Sequence, residues 1–325
     1  MLKIGILGAA GIAPASIIRP AARRSDAIIA AVASRNAERG QRYAEAHGIP
    51  QSYDSYEALI ADPGVDLVYV ALPPSEHARW SIAALEHGKD VLCEKPIALN
   101  ANEARSMVET ASRTGHRLIE AFHDRYHPLS AAIDAVVESG RLGAIRTVKA
   151  DFSVEIPFDP GSIRHAPELG GGALMDLGCY PVHWVRALAR EEPTVVEANG
   201  HPNLLGTDES ISALLAFPSG IRATVTASMA EGLPLSSTLV IQGELGTLEV
   251  NNLVFPSNGH SVRETVAELE RPSTVAGLAT YDHQLAAVVH ALESGTPTLT
   301  EGDDIIGNMA TIDAIYREAG FPPRP

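Results

Sequence analysis

An apolar run that stops at a glycine turn opens the chain and constrains the fold of its N-terminal half. Leu2 to Leu7 precede the turn Gly8-Ala9-Ala10-Gly11-Ile12-Ala13, and a helix-like stretch runs from Ala15 to Ala22. A strand, a glycine turn and a helix in this order point the amides of the helix start at a pyrophosphate. Ala10 replaces the second glycine of the dinucleotide fingerprint, whereas Ala13 takes its permitted third place. We therefore predict that a dinucleotide is bound by Gly8, Ala10, Gly11 and Ile12.

The end of the second predicted strand indicates which dinucleotide is bound. Ala27 to Ala33 form that strand, and Ser34-Arg35-Asn36 follow where a ribose-binding residue belongs. A carboxylate there would bind the ribose hydroxyls, but Ser34, Arg35 and Arg39 instead offer donors to a 2′-phosphate. In the alternative interpretation, Asn36 caps the next helix and the arginines belong to its solvated first turn. The pattern favours NADP and leaves NAD open as a second cofactor.

Apolar strands continue to alternate with helices up to Cys93. We predict helices at Tyr56 to Ala61 and Ser75 to His87, the latter capped by Ser75, and strands at Val65 to Leu72 and Asp90 to Cys93. This order is typical of a doubly wound parallel sheet, which binds ligands beyond the carboxyl ends of its strands. The residues at these ends that we predict to contact the cofactor are Leu72, Pro73, His77, Glu94, Lys95 and Pro96.

Two of these assignments have structural alternatives. The alternative for His77 is a histidine on the surface of a helix. The alternative for Glu94 and Lys95 is an ion pair that serves the fold alone.

A glycine triplet begins an apolar segment of the second half that contains three polar residues. Gly170 to Trp184 read GGGALMDLGCYPVHW, and in a helix Asp176, Tyr180 and His183 would project from one face. The glycines leave backbone amides at the helix start for a ligand or for a neighbouring loop. Pro181 predicts a kink that turns His183 away from that face. The segment is either a reactive face or a buried helix whose polar groups hydrogen-bond to backbone.

Two motifs together resemble the glucose-fructose oxidoreductase, inositol dehydrogenase and MocA family. They are Glu94-Lys95-Pro96 and Gly170-Gly171-Gly172-x-x-x-Asp176-x-Gly178-x-Tyr180, and the Gly8 turn and Tyr281-Asp282-His283 extend the resemblance over essentially the whole chain. The resemblance implies a catalytic Lys95 with Asp176 as its carboxylate partner. Many relatives carry histidine four residues after that aspartate. Tyr180 in its place is similar to the branch that contains dihydrodiol and xylose dehydrogenases, which leaves the substrate open.

The predicted fold is α/β, with an N-terminal Rossmann domain that contains the doubly wound parallel sheet. Residues 1–123 form this dinucleotide-binding domain. Residues 124–325 form a substrate and oligomerisation domain, and its C-terminal helix can pack back on the first domain. The resemblance implies that the second domain is α+β, with an open, mostly antiparallel sheet.

Long alternating segments predict the strands of that second sheet. They are Ala144 to Val154, Val195 to Gly200, Ser210 to Phe217, Ile221 to Ser228 and Thr238 to Ile241. Residues 210–217 show no clearly polar face, and a second copy of the chain is a common cover for such a sheet. We therefore predict a homodimer or homotetramer through the C-terminal sheet.

Composition limits the partners of the chain. Its 325 residues include 40 acidic and 25 basic side chains, a formal net charge of -15 that repels nucleic acid and anionic membranes. Cys93 and Cys179 form neither a disulfide framework nor a metal-binding spacing. The apolar run Ala27 to Ala33 is far shorter than the roughly 20 residues of a membrane helix. We predict a cytoplasmic protein with no nucleic-acid, membrane or metal partner.

These predictions combine into an NADP-dependent oxidoreductase acting on a sugar or a related polyol. The cofactor supplies the hydride for a carbinol or carbonyl carbon, so the protein positions the substrate and exchanges one proton. Tyr180 suits the proton exchange because the Lys95 ammonium favours its phenolate form, and Asp176 would then orient Lys95. Arg164 and His183 are candidates for substrate contacts, and Lys95 and His183 stay open as alternative proton donors.

Two alternatives to this function remain. One is a trans-dihydrodiol or other non-sugar alcohol dehydrogenase, since pocket loops set specificity. The other is a non-catalytic NADP-binding regulator, since a fold alone does not establish a function.

Overall fold

The computed structural model describes residues 1–322 and Arg324. The chain divides into two compact units, each built from two segments of sequence. Unit 1 contains Met1–His123 and Tyr281–Ile306, and unit 2 contains Asp124–Thr280 and Gly307–Pro325. The chain thus leaves unit 1 after His123, where we place the domain boundary, and residues 281–306 return to unit 1.

Strands and helices are numbered in chain order. The strands are β1 (Leu2–Leu7), β2 (Ala27–Ala33), β3 (Gln51–Tyr53), β4 (Leu67–Val70), β5 (Asp90–Cys93), β6 (Leu118–Glu120), β7 (Ile145–Ser153), β8 (Thr194–Pro202), β9 (Asp208–Ala216), β10 (Arg222–Ser228), β11 (Ser236–Gly243), β12 (Gly246–Asn251), β13 (Ser261–Val266) and β14 (Leu269–Ser273). The helices are α1 (Arg19–Ala22), α2 (Ala37–His47), α3 (Tyr56–Ile60), α4 (Pro74–Glu86), α5 (Ala101–Thr114), α6 (Pro128–Glu138), α7 (Cys179–Ala189), α8 (Thr280–Ser294) and α9 (Asp303–Glu318). Among the described residues, no helix has both the length and the apolar character needed to cross a membrane.

Several short helical turns complete the secondary structure. Five-residue π-helical turns at Pro14–Ile18 and Leu174–Gly178 lead directly into α1 and α7. Single 3-10 turns lie at His123–Tyr126, Pro167–Leu169 and Pro256–Asn258. The helix predicted from Ala15 to Ala22 is therefore a π-helical turn that continues into α1.

Unit 1 is built around a six-stranded sheet with the order β3-β2-β1-β4-β5-β6. Every neighbouring pair in it is parallel, as the alternation of strands and helices predicts. Strands covered on both faces are apolar along their length, and β4 is buried at all four residues. The return segment completes this core, because Leu285, Val288 and Val289 of α8 belong to the same buried cluster as Ile4 and Tyr69.

The start of α4 differs from the prediction. Ser75 is not its cap, because the helix begins one residue earlier, at Pro74, and Pro73 is the N-cap without a side-chain hydrogen bond. Proline suits the first helical position because its fixed φ is helical and its missing amide would be unpaired there anyway. The Pro73-Pro74 pair therefore sets the helix start.

Unit 2 contains an eight-stranded sheet with the order β14-β13-β12-β11-β7-β10-β9-β8. Its neighbours pair antiparallel, except that β10 runs parallel to β7. The mostly antiparallel sheet implied by the family resemblance is thus confirmed. The sequence patterns do not predict β12, β13 and β14, which extend the sheet on one side.

The two faces of this sheet differ in burial. On β9, Ile211, Ala213 and Leu215 are buried, whereas Ser212 and Leu214 on the other face are partly exposed. Neighbouring strands add hydroxyl groups to the partly exposed face, for example from Thr224 and Thr226 of β10. One face is therefore apolar and buried and the other mixes hydroxyl with apolar groups, so neither face is clearly polar along β9 and β10.

Candidate functional site

The glycine turn after β1 leaves an open approach to the backbone. Gly8 has a φ of 99°, and a Cβ atom there would lie 2.8 Å from the Ala71 carbonyl oxygen, so the turn requires glycine. Gly11 is exposed, and the space where its Cβ atom would point is open. In the described part of the chain, no side chain caps the helical turn Pro14–Ile18. These features fit a pyrophosphate bound by amides at a helix start.

Two side chains of α2 hydrogen-bond to the glycine turn. Arg39 Nη2 donates to the Ala9 carbonyl at 2.8 Å, and the Tyr43 hydroxyl donates to the Ala10 carbonyl at 2.9 Å. Burial raises the pKa of Tyr43 to about 12, so its hydroxyl stays a donor near pH 7. Arginine has five N–H groups, so Arg39 retains others for the phosphate contact that remains a prediction.

The segment after β2 supports parts of both interpretations. Asn36 is the N-cap of α2 and accepts a hydrogen bond from the Arg39 amide, as the alternative expects. Ser34 is buried, and its hydroxyl accepts from the Asn36 amide at 3.3 Å. Arg35 is exposed, and burial raises the pKa of Tyr56 against the lowering effect of the nearby Arg35. Ser34 and Arg35 thus stay candidates for a phosphate contact, and the segment offers no carboxylate to repel one.

His77 lies in the interior of unit 1, so the alternative of a surface histidine is wrong. It is 1% exposed, with Nε2 at 2.8 Å from the Leu72 carbonyl oxygen and Nδ1 at 2.9 Å from that of Pro96. Burial lowers the pKa of His77 to about 4, although the contacts with the Leu72 and Pro96 carbonyls oppose the lowering. A neutral ring carries one N–H and donates to only one of these two carbonyls. His77 therefore joins the segments that follow β4 and β5, which are the strand ends predicted to face the cofactor.

A buried hydrogen-bond chain ends at Glu94. The Tyr69 hydroxyl of β4 donates to Glu94 Oε1, and the Ser16 hydroxyl oxygen lies 2.6 Å from the Tyr69 hydroxyl oxygen. Burial, followed by the charge of Glu94, raises the pKa of Tyr69 well above its usual 10.0. Ser16 belongs to the π-helical turn Pro14–Ile18, so the chain connects this turn with the Glu94-Lys95-Pro96 motif, whose Lys95–Pro96 peptide bond is cis.

Lys95 is a partly exposed cation at the end of β5 with buried histidines near it. Burial lowers the pKa of His123 to about 3, and the charge of Lys95 contributes to the lowering. The same charge is a smaller cause of the lowered pKa of His77. Tyr281 packs on His123 with 4.1 Å between the ring centroids. Both histidines are therefore neutral near pH 7 beside a charged lysine.

Backbone and side chains of unit 2 approach the glycine triplet closely. A Cβ atom at Gly171 would lie 2.7 Å from the Ile163 carbonyl oxygen, and one at Gly172, where φ is 127°, would lie 2.1 Å from Asp208 Oδ1. The Gly172 amide donates to the Arg164 carbonyl at 2.9 Å. The sequence leaves the amides of the glycine triplet open to a ligand or to a neighbouring loop. The structure shows the contact with the loop.

A buried ion pair holds the same turn. Asp208 Oδ2 accepts the Leu174 amide at 2.6 Å, and Oδ1 accepts Arg324 Nη2 and the Tyr316 hydroxyl, both at 2.8 Å. Arg324 also donates to the Gly171 carbonyl at 2.8 Å. Burial raises the pKa of Asp208 to about 6, although Arg324 opposes the rise. The network fixes the backbone at the start of the π-helical turn Leu174–Gly178.

Asp176 lies on this π-helical turn and is paired with Arg164. Arg164 Nε donates to Asp176 Oδ2 at 2.8 Å, and the two side chains are 50% and 21% exposed. The guanidinium retains four further N–H groups, so the ion pair leaves a substrate contact by Arg164 open. Arg164 and Asp176 thus come together in unit 2, and the sequence patterns give no indication of this pair.

The helix predicted around Pro181 is π-helical in its first part and α-helical in the rest. The π-helical turn ends at Gly178, and α7 then runs from Cys179 to Ala189 with Pro181 in its first turn. A proline ring displaces the carbonyl four residues earlier, here that of Leu177, which lies in the π-helical turn. The α-helical spacing used to place Asp176, Tyr180 and His183 on one face does not apply across this junction.

Tyr180 and His183 are both buried within unit 2. Tyr180 is 3% exposed, and its ring meets Phe152 edge-on at 5.4 Å and Trp184 at 6.3 Å between centroids. Burial raises the pKa of Asp124, and a nearby His183 opposes the rise. Trp184 Nε1 donates to Asp124 Oδ2 at 2.6 Å. Aromatic packing therefore fixes the Tyr180 ring, and His183 lies close to a buried carboxyl group.

Several residues that hold the candidate site were not found from the sequence. Tyr69 carried a usable signal, because a hydroxyl within a wholly buried strand needs a hydrogen-bond partner. Arg324 carried none, because its partner Asp208 is 116 positions away in the chain. The residues missed in this way are Ser16, Tyr43, Tyr56, Tyr69, Asp208, Tyr316 and Arg324.

Two family models match the chain. The one described as an oxidoreductase family with an NAD-binding Rossmann fold matches residues 2–122. The one described as the GFO/IDH/MocA C-terminal domain matches residues 130–249.

Similar proteins match between about two thirds and nearly all of the chain. D-xylose 1-dehydrogenase (NADP(+)) 2 of Haloferax volcanii is 35% identical over 329 residues, which cover 98% of this chain and 97% of that protein. Trans-1,2-dihydrobenzene-1,2-diol dehydrogenase of Xenopus tropicalis is 34% identical over 223 residues, 68% of this chain and 66% of that protein. The structure of KijD10, a 3-ketoreductase from Actinomadura kijaniata in complex with NADP and TDP-benzene, has a TM-score of 0.90 at 26% identity and covers 98% of this chain and 97% of its own.

Proposed function

Because the chain belongs to the GFO/IDH/MocA oxidoreductase family, we propose that it is an NADP-dependent dehydrogenase of a sugar or related polyol. The observation that carries the proposal is the presence of Lys95, Asp176 and Tyr180 of the family motifs in a chain with an NAD-binding Rossmann domain. The similarity to a xylose dehydrogenase named for NADP(+) supports both the cofactor and the substrate class.

The residues of unit 1 bind and orient the cofactor in this proposal. Gly8, Ala10, Gly11 and Ile12 hold the pyrophosphate, whose charge suits the amides of a helix start. Ser34, Arg35 and Arg39 bind the 2′-phosphate through charge-assisted hydrogen bonds. Backbone and side chains at the ends of β4 and β5 contact the nicotinamide half, and these residues are Leu72, Pro73, His77, Glu94, Lys95 and Pro96.

Tyr180 exchanges the proton of the reaction in this proposal. The bound cofactor supplies or accepts the hydride. Lys95 favours the phenolate form of Tyr180 during the reaction, and Asp176 orients Lys95. Arg164, already paired with Asp176, and His183 bind the substrate hydroxyl groups.

Cofactor titration tests the first part of the proposal. We expect NADP to bind more tightly than NAD, and Arg35→Ala to weaken NADP by about 1 to 3 kcal/mol without changing the affinity for NAD. Arg42→Ala is the matched control, because Arg42 is an exposed arginine of α2 whose partner is Glu38. Equal affinities of the unmodified protein for NADP and NAD would contradict the proposal.

We further propose that residues 1–123, completed by residues 281–306, serve the cofactor. The rest of residues 124–325 serves the substrate and the assembly of a homodimer or homotetramer. The partly exposed face of the β9 and β10 strands supports the assembly, because it presents Leu214 among hydroxyl groups. We place the enzyme in the cytoplasm, and its acidic composition supports the absence of a nucleic-acid partner.

A second candidate function is a trans-dihydrodiol or other non-sugar alcohol dehydrogenase. The similarity to trans-1,2-dihydrobenzene-1,2-diol dehydrogenase favours it, and so does Tyr180 at the motif position. A panel of sugars, inositols and cyclic diols, assayed by nicotinamide absorbance with NADP and NAD, separates the candidates. Turnover of cyclic diols without turnover of any sugar would select the second function. Absence of turnover with every substrate would favour a non-catalytic NADP-binding regulator.

A further inference from the structure

Three buried residues of unit 1 form a hydrogen-bond chain with one direction. Tyr69 donates its single hydroxyl proton to Glu94 Oε1, so its oxygen accepts from Ser16. The Ser16 hydroxyl oxygen is 2.6 Å from Tyr69 and 3.1 Å from the Ile12 carbonyl oxygen, and the shorter contact agrees with donation to Tyr69. Ser16 and Tyr69 are fully buried, and Glu94 is 9% exposed. Each donor polarises the next, and the chain ends on the Glu94 carboxylate.

The sheet fixes the position of this carboxylate. Tyr69 lies on β4, Glu94 directly follows β5, and the two strands pair in register with Val70 opposite Cys93. Burial keeps the pKa of Tyr69 well above 10.0, so the phenol is a donor at every pH near neutrality. A hydrogen bond donated to a carboxylate stabilises its charged form. Tyr69 therefore both orients Glu94 and supports its negative charge.

We infer that Tyr69 is a positioning residue that holds the Glu94 carboxylate toward the nicotinamide and so makes the protein favour the oxidised cofactor. The inference rests on the proposed function, which assigns Glu94 to the cofactor. The oxidised nicotinamide ring carries a positive charge and the reduced ring does not, so a fixed negative charge attracts only the oxidised form. The Lys95 ammonium opposes this effect, and it is present in every variant of the experiment.

Equilibrium dissociation constants of NADP⁺ and NADPH test the inference without any turnover. The quantity measured is the ratio of the NADP⁺ constant to the NADPH constant. We expect Glu94→Gln to raise this ratio about tenfold, because it removes a unit charge from a poorly solvated position. Tyr69→Phe should raise it about threefold, because the carboxylate loses the donor that orients it and stabilises its charge.

The double variant separates positioning from a general structural role. Tyr69 acts through Glu94, so Tyr69→Phe added to Glu94→Gln should leave the ratio at the value of Glu94→Gln alone. Damage to the sheet would instead weaken the binding of both nucleotides equally. The ratio measured for Tyr69→Phe would then equal that of the unmodified protein, and this result would overturn the inference. An unchanged ratio in Glu94→Gln would overturn it as well.

Two further variants complete the experiment. Tyr53→Phe is the matched control, because it removes another phenol-to-carboxylate hydrogen bond of unit 1, the 2.9 Å bond to Asp62, and should leave the ratio unchanged. Ser16→Ala removes the first donor of the hydrogen-bond chain. It should raise the ratio of the NADP⁺ to the NADPH dissociation constant, as Tyr69→Phe does, and it provides this test even if Tyr69→Phe fails to fold. Failure of the unmodified protein to bind either nucleotide would overturn the proposed function itself, whereas binding with an unchanged ratio in the variants overturns only this inference.

Discussion

At the scale of single residues, the Tyr180 hydroxyl is the group whose removal most directly tests the chemistry. Tyr180→Phe keeps the ring that packs on Phe152 and Trp184, so the fold should survive. The variant should lose the acid-base contribution to the hydride step, which is typically about 100-fold to 10,000-fold. Single-turnover measurement of nicotinamide absorbance over a range of pH reports that step.

His183 provides the comparison for this prediction. His183→Asn should mainly raise KM, because loss of a substrate contact weakens ground-state and transition-state binding together. Near-full activity of Tyr180→Phe with an unchanged pH profile, together with loss of the controlling ionisation in His183→Asn, would assign the proton to His183 instead.

Residue types in the sequence predict which side chains form the candidate site better than they predict the partners of those side chains. Lys95 and Asp176 stand out because a charged side chain in an otherwise apolar segment is unusual. The partner of Asp176 did not stand out, because Arg164 reaches it through a loop whose path depends on close backbone contacts at Gly171. Periodicity describes regular elements and carries no information about such a loop.

At the scale of elements, the partly exposed face of the unit 2 sheet predicts assembly. We expect the unmodified protein to have the mass of a dimer or tetramer in light scattering, and Leu214→Asp to shift it toward the mass of one chain. The physical reason is that a buried, unpaired carboxylate is strongly unfavourable at an interface between copies. Leu204→Asp is the control, because Leu204 is 89% exposed in a loop of unit 2 and should leave the mass unchanged.

A mass of one chain for the unmodified protein, close to 34.4 kDa, would contradict the assembly. So would a Leu214→Asp variant that keeps the mass of the unmodified protein. Far-ultraviolet circular dichroism of both variants shows whether the sheet itself is intact.

Strands that are apolar or that alternate clearly were predictable, and the exposed edge strand β14 was not. β2 and β5 have the predicted bounds because each is a short, largely apolar run within a parallel sheet. All five residues of β14 are exposed, so the apolar alternation that marks a strand is missing there. The π-helical turn Leu174–Gly178 was also missed, because its apolar spacing resembles that of an α-helix.

At the scale of the whole molecule, buried neutral histidines predict how stability depends on pH. The folded pKa of His123, about 3, lies below the unfolded value of 6.5, so between these values the unfolded chain binds more protons. The stability contributed by neutral His123 is therefore complete above pH 6.5 and is lost as the pH falls toward 3. Between pH 7 and pH 5 this loss is about 2 kcal/mol for one such group.

His123→Phe tests this prediction because phenylalanine keeps an aromatic ring against Tyr281 and cannot take up a proton. Denaturant unfolding at pH 7, 6 and 5 should show a smaller decrease in the free energy of unfolding for the variant than for the unmodified protein. His77 has the same sign of shift, so some decrease should remain. Parallel curves for the two proteins would show that His123 does not control the acid response.

Because residues 281–306 belong to unit 1, the core of this unit is completed only late in the synthesis of the chain. Leu285, Val288 and Val289 complete the core around β1 and β4, yet they leave the ribosome only after residues 124–280 have been made. At about 5 to 20 residues per second, this delay is roughly 8 to 30 s. During that interval the nascent nucleotide-binding sheet exposes the apolar surface that α8 later covers. Chaperones thus have a defined time and surface for engaging this chain, and a ribosome stalled before residue 281 would hold a sheet whose core is not yet covered by α8.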